Sequence, residues 1–287
     1  MSSVKIIECP RDAMQGIPEF IPTSRKVEYI NKLLKVGFDT IDFGSFVSAK
    51  AIPQMADTVQ VLEQLDLTES HSRLLAIVAN TRGADEASHH AALTYLGFPL
   101  SISETFQKRN TNKSIAEALN SLEEIKNICD RKGKKLVTYI SMGFGNPYGD
   151  PYEVDLVAQF VDILITLGSD VISLADTIGV ADTAATESLF SSISRQFPQA
   201  ELGVHLHSTP SASRAKVQAA YRGGCRRFDG ALRGYGGCPM AKDELVGNIA
   251  TETIISYFDA AGVSIPIDKE KFFEALAFAD KVFATGQ

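Results

Sequence analysis

Residues 135–174 read KLVTYISMGFGNPYGDPYEVDLVAQFVDILITLGSDVISL. The run at 135–141 is β-branched and apolar, and so is the run at 170–174. Between them Val154, Val157, Phe160, Val161 and Leu164 recur at helical spacing and share one face. A short apolar run, a longer amphipathic helix and a second short run are the signature of a parallel sheet built from βα units.

Working outward from this segment, the same alternation predicts strands at 4–8, 39–43, 73–78, 98–102, 135–141, 170–174, 201–206 and 226–230. Helical stretches lie between them, such as the one carrying Val27, Ile30, Leu33 and Leu34 on a common face. A last helix is expected near 248–261, and a further amphipathic segment at 268–284 reads as an appendage on the barrel. No linker or low-complexity run interrupts the pattern. Residues 1–287 therefore read as one domain, a (β/α)₈ TIM barrel with an additional C-terminal helix. An open doubly wound sheet would also alternate β and α, but it usually carries a Gly-rich nucleotide turn after its first strand. Here that turn reads CPRDAMQG.

Composition narrows the class. Lys and Arg number 28 against 35 Asp and Glu, a net charge of −7 with no basic block, which argues against a nucleic-acid partner. No apolar run approaches the roughly 20 residues needed to span a bilayer, and the opening MSSVKIIE does not read as a signal peptide. No membrane association is expected, and a cytoplasmic location is. The four cysteines, Cys9, Cys129, Cys225 and Cys238, lack paired spacing, so reduced thiols are expected rather than disulfides or a structural zinc site.

Active sites of this fold lie where the strands end. Strand one runs into Glu8-Cys9-Pro10-Arg11-Asp12, strand two carries Asp42, strand six is followed by Asp176-Thr177, and strand seven supplies His205 and His207. The segment after strand eight contains Cys238 and then Asn248. A lone Asp after a strand is more often a helix cap or turn former. Five strand ends converging on one mouth are the argument for chemistry.

Alternate residues of a strand point the same way, so His205 and His207 place two imidazoles on one side, roughly 7 Å apart along the backbone. Asp12 and Asn248 add oxygen donors and complete an open mixed set that suits Mg²⁺ or Mn²⁺, with Zn²⁺ as the alternative. Cys238 follows two glycines and precedes Pro239, in a loop suited to close approach. Its thiol could donate a proton or act as a nucleophile.

The motifs ECPRDAMQG (8–16), IDFGSFVSAKAIPQMAD (41–57), ISLADTIGV (172–180), VHLH (204–207), GGCPMA (236–241) and GNIATE (247–252) together resemble the 3-hydroxy-3-methylglutaryl-CoA lyase family. The wider group comprises metal-dependent barrels that include isopropylmalate and citramalate synthases. The resemblance implies cleavage of an acyl-CoA to acetyl-CoA and acetoacetate, as in leucine catabolism, with a divalent cation held by Asp12, His205, His207 and Asn248. It further implies that Arg11 stabilises an enolate oxygen, that Cys238 is the catalytic thiol and that Asp42 falls where the family has an acidic catalytic residue; by position His205, Asp12 or Asp42 is the candidate base, and a homodimer is expected. Asp176 falls on the DTIG aspartate of the family. Gln107-Lys108-Arg109-Asn110 matches a segment near the nucleotide. From position alone, Gln15, Asn80, Lys108, Asn110, Tyr139, Ser141 and Ser173 join Asp176 as candidates to line the substrate pocket.

Four departures stand out. Asp42 replaces the usual Glu, and Ser208-Thr209-Pro210-Ser211 replaces Asp-Thr-Tyr-Gly. The stretch between Cys238 and Asn248 is one residue longer, and Asn146 stands where the vertebrate pattern has a cysteine. Three alternatives fit the same residues: a lyase acting on a related 3-hydroxyacyl-CoA, a condensing acyltransferase, and a barrel that binds without turnover.

Overall fold

Eight parallel strands close on themselves in this computed structural model, which describes residues 3–237 and 246–283. They are β1 (Lys5–Glu8), β2 (Thr40–Ser45), β3 (Arg73–Ile77), β4 (Leu93–Ser101), β5 (Lys135–Ser141), β6 (Val171–Asp176), β7 (Leu202–Ser208) and β8 (Arg227–Gly230). Each pairs with its neighbours in chain order, and β1 pairs with β8 in register Lys5↔Arg227 to Glu8↔Gly230, which closes the (β/α)₈ barrel. The helices that position the site are α1 (Pro10–Gln15), α2 (Thr23–Leu34), α3 (Thr58–Leu62), α4 (Thr81–Ser88), α5 (Glu104–Thr111), α6 (Ile115–Lys132), α7 (Val154–Thr166), α8 (Thr183–Gln196), α9 (Pro210–Arg222), α10 (Thr251–Ala260) and α11 (Lys269–Phe283).

Apolar side chains fill two regions, as strand alternation requires. One lies between barrel and helices; the other, inside the barrel, joins Leu75, Ile77, Tyr95, Val137, Tyr139 and Val171. Arg227 plugs the N-terminal end of that interior. Its side chain packs against Gly203, its guanidinium lies 5.8 Å from the Tyr95 ring centre, and Nη1 reaches Asp39 at 3.4 Å. The C-terminal mouth is left to the polar residues.

Three elements differ from the sequence reading. Strand β4 begins at Leu93, not 98, because Gly97 breaks the apolar run just before the predicted start. Pro99 is tolerated because β3 ends opposite Gly97, so the side on which its missing N–H would donate has no partner strand. The helix expected from 248 begins at Thr251; Gly247 and Asn248 form a two-residue strand, β9, antiparallel to β7 with His207↔Asn248 in register. The C-terminal helix α11 does more than coat the barrel. It packs Phe278 and Phe283 on Tyr29 of α2, stacks Phe283 on Tyr235 at 4.3 Å, and pairs Asp280 with Arg233 at 2.6 Å.

Glu8 ties the first strand to the last turn of the barrel. Fully buried, it accepts from Leu232 N at 2.8 Å and from Thr251 Oγ1 at 2.6 Å. Burial pushes its pKa up to about 8, and the two donors hold it back from going further. A carboxyl whose folded pKa exceeds its unfolded value favours the folded state at low pH, and that contribution is lost as pH rises from the unfolded value through about 8. Glu8→Gln mimics the neutral form. Between pH 6 and 9 the wild type should lose about 2–3 kcal/mol relative to this variant, read by urea denaturation at both pH values. Parallel pH profiles would show that Glu8 does not carry the proton.

Candidate active site

The residues after β1 enter α1 directly, with Pro10 at its first turn, where a missing N–H costs nothing. One helical turn then projects Arg11, Asp12 and Gln15 together over the mouth. Arg11 Nε lies 3.1 and 3.2 Å from the two Asp42 oxygens, and Nη2 lies 2.5 Å from Oδ2. Its Nη1 donates to Asp12 Oδ1 at 3.0 Å and to Gln15 Oε1 at 2.8 Å. Four of the five guanidinium N–H groups are thereby used, leaving one on Nη2 without a partner among the described residues. Asp12 has its pKa lowered to about 2: burial opposes ionisation, but the charges of Arg11, His205 and His207 outweigh it. Asp42 goes the other way, since its burial exceeds the relief from Arg11.

On β7 the two imidazoles face one another. His207 Nδ1 lies 2.8 Å from the Thr177 carbonyl, which only accepts, so the ring carries its proton there and leaves Nε2 with a free lone pair. His205 Nδ1 lies 3.2 Å from Asp229, again an acceptor, and its Nε2 sits 3.3 Å from that of His207. Two lone pairs at that distance repel unless a proton or a cation lies between them. Asp12 Oδ2 is 4.0 Å from His205 Nε2, and Asn248 Nδ2 donates to that same oxygen at 2.6 Å and to the Tyr235 carbonyl at 2.9 Å. The donor set therefore fits a metal ion: two imidazole nitrogens and a carboxylate converge on one point, with an amide beside them that would turn its oxygen inward. Of the two rings His205 is the more basic. Burial disfavours the charged ring, but the hydrogen bond and charge of Asp229, with the charge of Asp12, raise its pKa; burial and the neighbouring His205 lower that of His207.

Gly236 is part of this construction. Its φ is +87°, and a Cβ there would come 2.5 Å from the Asp12 carbonyl and 2.7 Å from Asn248 Nδ2. Any side chain at 236 would displace one of the converging groups.

Beside these groups opens a cavity of about 310 Å³. It is lined by the polar residues Arg11, Asp12, Gln15, His205, Asn110, Tyr139 and Ser141, with Val47, Ile77 and Pro99 supplying apolar wall. Other expected pocket residues do not line it. Asp176 is 1% exposed, and its oxygens receive Lys216 and the N–H groups of Val180 and Ala181. Asn80 caps α4 by accepting from Gly83 N, Lys108 pairs with Glu104 at the surface, and Ser173 is buried in the barrel wall. Asp42 is held behind Arg11, outside the cavity lining. Cys238 lies outside the described residues, as does most of the lengthened stretch after it. Ser208 is buried and bonds the Thr209 carbonyl, so that departure does not reach the cavity, and Asn146 orders its own loop through Tyr148 N, Asp150 N and the Asp150 carbonyl. In the PQM stretch, Gln54 braces residues 17–21, donating to Ile17 O and Glu19 O and accepting from Ile21 N.

Sequence reasoning missed Asp229, the partner of His205. It has a signal, since it stands at the end of a predicted strand in a barrel whose other strand ends carry the candidate residues. The Thr177 carbonyl, by contrast, is a backbone group and leaves no trace in residue type.

Comparison with known proteins agrees with the motifs. The HMGL-like family model matches residues 4–278. The hydroxymethylglutaryl-CoA lyase YngG of Bacillus subtilis is 32% identical over 272 residues, covering 95% of this chain and 90% of its own. The (R)-citramalyl-CoA lyase of Chloroflexus aurantiacus is 32% identical over 93% of this chain and 87% of its own. A structure of an HMG-CoA lyase from Acinetobacter baumannii in complex with coenzyme A and 3-methylmalate superposes with a TM-score of 0.90 at 30% identity, covering 98% of this chain and 92% of that one. By sequence and by fold, this chain belongs to the HMGL-like family.

Proposed function

We propose that this protein is a hydroxymethylglutaryl-CoA lyase, a carbon–carbon lyase that cleaves 3-hydroxy-3-methylglutaryl-CoA to acetyl-CoA and acetoacetate. The observation that carries the reading is the convergence of Asp12, His205, His207 and Asn248 beside Arg11 at one end of a partly apolar cavity. Relatives of similar length that bear this activity in their names support it. Among the described residues no helix is long and apolar enough to cross a membrane.

In this reading Asp12, His205, His207 and Asn248 hold a divalent cation, assigned as Mg²⁺ or Mn²⁺ from the open, mixed nitrogen and oxygen set. When bound, the cation supplies Lewis acidity to the tertiary hydroxyl and free carboxylate of the substrate. The hydroxyl gives up its proton, the bond between C2 and C3 breaks, C3 becomes the ketone of acetoacetate, and the electron pair passes to the thioester as an enolate. Of the sequence candidates for the base, Asp12 and His205 line the cavity and Asp42 does not. Asp42 instead fixes Arg11, whose spare Nη2 proton faces the developing enolate oxygen. Cys238 then protonates the enolate carbon. The apolar wall of Val47, Ile77 and Pro99 keeps water from quenching it first.

Incubating the purified protein with 3-hydroxy-3-methylglutaryl-CoA and Mn²⁺ and assaying acetoacetate tests this directly. A second reading, cleavage of a citramalyl-CoA thioester, draws on the equally similar citramalyl-CoA lyase; its ketone product is pyruvate, so one experiment with both thioesters separates the two. Cys238→Ser should retain Mn²⁺ and acyl-CoA binding and lose at least roughly 10²-fold in acetoacetate formation, because a hydroxyl is a far weaker acid than a thiol. Normal turnover in the serine variant would remove Cys238 from the chemistry.

A further inference from the structure

Lys216 lies on α9 with its side chain only 5% exposed, and the proposed chemistry makes no use of it. Its Nζ donates to Asp176 Oδ2 at 2.8 Å, to the His207 carbonyl at 2.9 Å and to the Gly179 carbonyl at 3.2 Å. Three acceptors use all three protons of an ammonium. Asp176 in turn accepts from Val180 N at 2.9 Å and Ala181 N at 3.1 Å, which folds residues 176–181 into a closed turn.

That turn is the one that aims His207. It carries the Thr177 carbonyl that takes the Nδ1 proton of His207, while the Thr177 hydroxyl receives Met142 N at 2.8 Å. Gly179, at φ +71°, is packed so closely that a Cβ would meet Val246 Cγ1 at 2.7 Å and the His207 carbonyl at 3.4 Å. One buried amine thus grips the backbone of His207 directly and grips its ring through the turn. A buried ion pair is by itself weak evidence for stability, since desolvation offsets its attraction. Here both arms of the pair end on the same histidine.

From this geometry we infer that Lys216 is a positioning residue: with Asp176 it sets the direction of the His207 Nε2 lone pair and so tunes cation affinity. The inference rests on the cation reading above. Outer partners of ligating histidines typically change metal affinity 10–100-fold when removed.

The test uses the full chain, titrated with Mn²⁺ and followed by the electron paramagnetic resonance of free Mn²⁺, well below the unfolding temperature. Lys216→Met keeps the stem and removes the donors; Mn²⁺ should bind about tenfold more weakly or worse. Because that variant strands a buried carboxylate, Asp176→Leu/Lys216→Met removes both charges. Thermal stability recovered in the double variant with Mn²⁺ affinity still about tenfold down supports positioning. Affinity within about twofold of wild type in either variant, or affinity that returns in step with stability, makes the pair structural only and overturns the inference. Failure of the wild type to bind Mn²⁺ overturns the cation reading, and this inference with it.

Discussion

Replacing Arg11 by lysine should lower kcat by roughly 10²–10³-fold while KM changes little, the loss expected when one well-aimed oxyanion donor is removed. The reason lies in how the guanidinium is used. Asp42 holds one edge of the fork through Nε and Nη2, Asp12 and Gln15 hold Nη1, and the remaining Nη2 proton is aimed by the other four. An ammonium is a point charge on a flexible stem and cannot satisfy Asp42 from two directions while presenting a donor in a third. Asp42 would also be left buried without its fork, and because burial already raises its pKa, it would take up a proton more readily. An interaction made mainly with charge that develops during cleavage lowers kcat rather than substrate affinity. Steady-state kinetics on Arg11→Lys and Arg11→Met check this; unchanged kcat with a raised KM would make Arg11 a substrate anchor.

His207→Ala should weaken Mn²⁺ binding by more than about 10²-fold, beyond the range for outer partners, and abolish turnover at ordinary metal concentrations. His207 supplies the nitrogen whose proton is fixed on the far side by Thr177, so no neighbouring group replaces its lone pair. The same experiment has a thermal readout. A ligand at 100 times its Kd stabilises the folded state by about 2.7 kcal/mol, so Mn²⁺ should raise the Tm of the wild type and leave that of His207→Ala unmoved. A variant still stabilised by Mn²⁺ would place the cation elsewhere. Calorimetry with and without the metal distinguishes these outcomes.

The parts of the molecule legible in the sequence are those written in side-chain type at regular spacing. Eight strands and the pairing of His205 with His207 follow from period alone, and the convergence of strand ends follows from the fold. The start of strand β4 is hidden in the sequence because Gly97 marks an interruption that the sheet tolerates. The strand holding Asn248 is invisible in the sequence because two residues of antiparallel strand are too short to show a period. Asp176 looked like a pocket residue because an acid after a barrel strand has two uses, and only the position of Lys216, forty residues on, reveals which applies. Glu8 and the Thr177 carbonyl matter through tertiary hydrogen bonds, which no local pattern encodes.

The pairing of β1 with β8 and the bond from Asn248 to Asp12, 236 residues apart, also govern when the molecule can be finished. As the chain emerges from the ribosome, its first strand has one unclosed edge until residue 227 and beyond is available, and contacts of such separation form late because their loop entropy must be met first. The four proposed ligands are then drawn together by the same event that closes the ring of strands. If those residues hold a cation as proposed, the complete set exists only after closure, so protein made without metal is expected to fold and then take up the ion.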